Sequence, residues 1–140
     1  MSQTSTHFFV PISAAHKQVC LGPDGAAAHV ARTMRLLQGR WKLPILFRLV
    51  AEPSMRTLQL KRDIPGISQK MLTQHLRELV DDGIVERRDF GEKPLHVAYR
   101  LTEMGRDLMP LLVQMRHFSA NHPSRSGDAV TADAPQNNRR

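Results

Sequence analysis

The sequence predicts a mainly α chain with a two-stranded β wing, an α+β fold, on three observations. Residues 26 to 82 hold four segments whose apolar residues recur at helical spacing, separated by Gly and Pro. After Gly83 the pattern changes to two short β-type runs, "IVERR" and "HVAYRL", parted by "DFGEKPL". A last run of helical period, "EMGRDLMPLLVQMRHFS", follows Thr102.

Taken in order, residues 1–25 mix polar residues with a short apolar "HFFVPI" and the turn signal "GPDG", and read as an N-terminal arm. Helix one carries Ala27, Val30, Ala31, Met34 and Leu37 on one face, with Gly39 placed to cap it. Helix two follows Trp41, tolerates Pro44 in its first turn, and buries Ile45, Leu46, Leu49 and Val50 before Pro53. "SMRTLQLKRDIPG" supplies a third short helix through Leu58, Leu60 and Ile64, with Pro65 and Gly66 forcing a turn. Ser68 caps helix four, Ile67 and Leu72 form its hydrophobic staple, and Asp82 and Gly83 end it. In the last helix Met104, Leu108, Leu111, Met115 and Phe118 form a seam that suits a second chain. Met109, Leu112 and Val113 add apolar surface beyond what a small domain covers, and Pro110 is expected to kink the helix near Arg106. Residues 119–140 lack periodicity and read as a disordered tail, leaving residues 26–118 as the folded domain.

A chain of 140 residues with 41% hydrophobic and 24% charged content suits one domain with a real core. No apolar run approaches the roughly 18 residues that span a bilayer, and the N-terminus lacks a secretory pattern, so no membrane association and a cytoplasmic location are expected. Cys20, the single cysteine, excludes an internal disulfide framework. The seven histidines are dispersed, with no H-E-x-x-H, no phosphate-cradling glycine loop and no nucleophile elbow. No enzyme, no cofactor and no metal site is therefore expected; His16 and Cys20 are two ligand types without a third, and His75 reads as a packed structural histidine.

The net charge of +7 is unevenly distributed. Residues 26 to 77 hold ten Arg and Lys against Glu52 and Asp63, a balance of +8, while the remainder sums to −1. On helix four, Met71, Leu72, Leu76, Leu79 and Val80 share the apolar half, and Lys70, Thr73, Gln74 and Arg77 recur at i, i+3, i+4, i+7 on the other. These side-chain types read base edges and grip phosphates. A solvated helix face has the same period, so context decides: a short helix, a tight turn and a longer helix with this stripe are the arrangement of a helix-turn-helix. The following hairpin would run along the phosphate backbone, with Arg87, Arg88, Lys93 and Arg100 as contacts, although Glu86, Asp89 and Glu92 offset their charge.

"GRWKLPIL", "LKRDIPGISQKMLTQHLRELVDDGIVERR" and "AYRLTEMGRDLMPLL" together resemble the HxlR-type winged-helix transcription regulators of bacteria, a MarR-like winged helix, from about Ala26 to Phe118. The resemblance implies a winged helix-turn-helix that dimerises through its terminal helices and binds an inverted-repeat operator in double-stranded DNA, acting more often as a repressor than as an activator. It places Ser68, Gln69, Lys70, Thr73, Gln74 and Arg77 on the recognition helix, and Arg88, Lys93 and His96 on the wing. It also allows for a small-molecule effector of unidentified chemistry. Three departures stand out. The cysteine that many members carry thirteen residues before the tryptophan is Ala28 here, with Cys20 eight residues earlier, which argues against an obligatory redox switch. Thr57 replaces a common aromatic before the third helix. At the second wing strand, His96 and Ala98 stand where an arginine and an acid are common. The rival reading is a winged helix that binds protein instead of DNA; the exposed Lys70 to Arg77 stripe and the clustered charge favour DNA.

Overall fold

The computed structural model describes residues 20–91 and 96–124. The chain divides after Gln38 into two units. The N-terminal arm before Cys20, the wing tip with Lys93, and the tail beyond Ser124 lie outside the described residues.

In the first unit, α1 spans Ala26–Leu36 and buries none of its side chains fully. Its expected core face stays open, with Val30 and Met34 each 59% exposed. Arg32 donates to the Pro23 carbonyl and lies 2.9 Å from His29 Nδ1.

The second unit is built on α2 (Lys42–Ala51), β1 (Met55–Arg56), α3 (Thr57–Asp63), α4 (Gln69–Asp81), β2 (Val85–Asp89), β3 (Val97–Leu101) and α5 (Glu103–Asn121). Its core joins Ile45, Leu46 and Leu49 of α2 with Leu60, with Leu72, Leu76 and Leu79 of α4, and with Ile84, all nearly or wholly buried. The α4 ends obey their sequence signals. Met71 N–H donates to Ser68 Oγ at 3.1 Å, Ile67 and Leu72 are both buried, and Gly83 at φ 78° lets Ile84 N–H return to the Leu79 carbonyl. Gly66, at φ 84°, makes the turn between α3 and α4.

Four expectations need correction. The sheet has three strands in the order β1-β3-β2, not two. Met55 and Arg56, read as the start of helix three, are extended and pair antiparallel with Tyr99 and Ala98, because burying Met55 against the sheet outweighs one more helical turn. Leu58 and Val50, expected inside, are 70% and 48% exposed. Met109 and Leu112, expected to be surplus surface, are core: with Gly105 they line the inward face of α5, one turn apart, while Val113 points outward. Finally, α5 is helical to Asn121, three residues into the segment expected to be a tail.

Candidate nucleic-acid interface

Helix α4 presents Gln69, Lys70, Thr73, Gln74 and Arg77 to solvent, and these five line one open hollow on the surface. The packing behind them explains why. Leu72, His75, Leu76 and Leu79 take the inward face, so Gln69, Lys70, Thr73, Gln74 and Arg77 are turned to the opposite side. Three side chains in the stripe are already engaged along the helix: Gln69 Nε2 donates to Thr73 Oγ1 at 3.4 Å and Gln74 Nε2 donates to Glu78 Oε1 at 3.2 Å. Ser68 spends its oxygen on the α4 cap, which fixes the helix start; its hydroxyl hydrogen is still available to an acceptor.

A second hollow, lined by Thr73, Arg77, Val80, Arg87 and Tyr99, shares Thr73 and Arg77 with the first and connects α4 to the sheet. A third, lined by Arg56, Thr57, Leu58, Arg87, Val97 and Tyr99, shares Arg87 and Tyr99 with the second. The three hollows thus adjoin, and the surface runs from Lys70 through Arg77 and Arg87 to Arg56. Arg87 stands opposite Tyr99 across the β2–β3 pair, so both project from one face of the sheet.

The strand alternation puts Arg88 on the other face. Its guanidinium lies 5.6 Å from the Phe90 ring, which in turn packs 4.4 Å from the His96 ring, and Phe90 N–H donates to the His96 carbonyl. Arg88 and His96 therefore both pack on Phe90 near the wing tip and not on the stripe. Arg100 donates to Glu86 Oε2 at 2.8 Å, and that contact holds the Glu86 carboxyl below the usual glutamate range. Arg56 escapes sequence reading because a two-residue strand has no period, and only the β1–β3 pairing brings it to this surface.

The charge count also changes in three dimensions. Lys42 is buried, its Nζ 2.8 Å from Glu78 Oε2, and Arg48 pairs with Asp63 at 2.8 Å. Two of the ten cations between residues 26 and 77 are thus paired with acids of the fold, Lys42 buried and Arg48 at the surface. Arg40, Arg56, Lys61, Arg62, Lys70 and Arg77 remain exposed on the second unit. Among the described residues no group of three His, Cys, Asp or Glu is placed to hold a metal ion, and no helix is long and apolar enough to cross a membrane.

Residues 36–126, which include this helix-turn-helix, fit the model of the HxlR-like helix-turn-helix. The chain belongs to the HxlR-like family. The HTH-type transcriptional regulator YdzF of Bacillus subtilis (strain 168) is 43% identical over 83 residues, covering 59% of this chain and 76% of YdzF. Among solved structures, the HTH-type transcriptional regulator ytcD is 43% identical and superposes with a TM-score of 0.63 over 66% of this chain and 94% of its own. A transcriptional regulator of the MarR family from Enterococcus faecalis V583 superposes with a TM-score of 0.65 at 32% identity, over 69% of this chain and 86% of its own. This HxlR-like protein is a DNA-binding winged helix-turn-helix transcription regulator, and its family and relatives are regulators, not enzymes.

Proposed function

We propose that this regulator is a repressor acting in the cytoplasm, which binds an inverted-repeat operator as a homodimer and places one α4 in each of two successive major grooves. The observation that carries the reading is the continuous surface formed by the α4 stripe with Arg77 and Arg87: polar readers in the middle, cations beside them. Lys70, Thr73 and Gln74 read bases, while Arg77, Arg87 and Arg56 hold phosphates. The dimer rests on α5. Met104, Leu111, Met115 and Phe118 are exposed apolar residues on that helix, Phe118 to 68%, and Leu108 beside them is half-buried. A second copy covering this seam places the two α4 helices about 34 to 36 Å apart, one turn of B-DNA.

Salt-titrated mobility shifts with wild type and Met115→Glu test both parts. For wild type, log K should fall by about 0.9 per phosphate neutralised for each tenfold rise in salt. Met115→Glu should sediment as a monomer and lose affinity for a two-half-site duplex, while melting as a folded protein because Met115 is exposed. A salt-independent affinity would contradict the phosphate grip, and a dimeric Met115→Glu would contradict the seam.

A further inference from the structure

Gln74 lies mid-stripe, and the two ends of its amide have opposite hydrogen-bonding character. Which end meets a base decides what it reads: adenine offers a donor at N6 and an acceptor at N7, whereas guanine offers acceptors at both O6 and N7. In this structure the Gln74 amide is held. Its Nε2 donates to Glu78 Oε1 at 3.2 Å. The other Glu78 oxygen, Oε2, lies 2.8 Å from Lys42 Nζ and 3.5 Å from His75 Nδ1. Lys42 is anchored by burial, its side chain 6% exposed, on the face of α2 that also buries Ile45, Leu46 and Leu49. The buried ammonium keeps the carboxylate ionised and in place. An ionised carboxylate has no hydrogen to give, so the Gln74 carbonyl oxygen cannot exchange places with the nitrogen.

We propose that Glu78, anchored by Lys42, is a positioning residue that fixes the amide orientation of Gln74 and so sets a preference for adenine over guanine at one base pair. The proposal rests on the reading of α4 as the base-reading helix. With Nε2 turned toward Glu78, Oε1 is left to accept from an adenine N6 amino group, and the second Nε2 hydrogen is left for N7. A guanine at that position would set its O6 against Gln74 Oε1, acceptor against acceptor. Neither Lys42 nor Glu78 has to touch DNA; they act through Gln74.

Glu78→Gln tests this directly. A glutamine at 78 keeps the shape and the hydrogen bond, but it can either accept from or donate to Gln74, so both orientations of the Gln74 amide become satisfied. Full-length wild type would first select its preferred duplex from a randomised library, and Gln74→Ala would identify the base pair that Gln74 reads. At that pair, Glu78→Gln should lower the ratio of affinities for A·T over G·C by about fivefold or more, within the discrimination that a bidentate contact provides. The other positions, and binding to a random-sequence duplex relative to them, should keep their ratios. In a Gln74→Ala background, Glu78→Gln should add no further change. Because Glu78→Gln leaves Lys42 buried without a charge partner, the pair Lys42→Met with Glu78→Gln is measured beside it and should show the same shift in base preference. An unchanged ratio at the Gln74 pair, or an equal loss at every position, would overturn the positioning role while leaving base reading by α4 intact. If wild type selected no preferred sequence, or Gln74→Ala altered no position, base reading by Gln74 would fall and this inference with it.

Discussion

The Glu78 carboxyl ionises at about 2 instead of the ordinary 4.5, mainly because the Lys42 ammonium hydrogen-bonds it and secondarily because Gln74 does. A carboxyl that ionises at lower pH in the folded state than in the unfolded one stabilises the fold above about 4.5, and the contribution fades as pH falls toward about 2. The Glu78 side chain is 39% exposed, so solvent screens the pair and moderates the effect. In urea unfolding, the stability advantage of wild type over Glu78→Gln should therefore shrink between about pH 6 and about pH 3; an advantage independent of pH would contradict the ion pair. The residue scale was only partly legible in the sequence. The stripe on α4 followed from period alone, because exposure on a helix is set by angle. The partners of Lys42 and Arg48 did not, since Glu78 lies 36 residues from Lys42 and Asp63 lies 15 from Arg48, and no local pattern links them.

Elements with strong end signals were legible, and those defined by distant pairing were not. Ser68 and Thr102 both cap as their chemistry suggests, accepting from Met71 N–H and Gly105 N–H, each at 3.1 Å. Strand β1 was missed because it exists only through β3. The sidedness of α5 was misjudged for a related reason: its apolar residues nearly encircle the helix, so period alone cannot say which face meets the core. Gly105 decides it. That glycine packs so closely on the Ile84 carbonyl, itself held by Thr102 N–H at 3.0 Å, that an added Cβ would collide with the carbonyl oxygen and would meet Leu101 Cδ2 at 3.2 Å. Gly105→Ala should therefore destabilise the fold by about 1 to 3 kcal/mol, as overpacking does, despite the gain of about 1 kcal/mol in helix propensity. The midpoint of urea unfolding measures it, and an unchanged or raised midpoint would mean that α5 can shift away from the sheet.

At the scale of the whole molecule, the uneven charge pointed to a polyanion, but the fold redistributes the argument. Lys42 and Arg48 are paired with Glu78 and Asp63, Arg100 is held by Glu86, and the wing brings Arg87 to the α4 surface. What is left is a smaller set of exposed cations beside a row of polar side chains, which separates gripping from reading. The central claim is that Gln74 reads sequence while Arg77 grips the backbone. It is tested most directly by measuring the affinities of Gln74→Ala and Arg77→Ala for the selected operator and for random duplex across a salt series. Gln74→Ala should cost about 1 to 3 kcal/mol on the operator and almost nothing on random DNA. Arg77→Ala should weaken both and lower the salt slope by about one contact. Equal losses on operator and random duplex for Gln74→Ala would contradict the account, because the stripe would then grip without reading and specificity would come from the wing or from DNA shape.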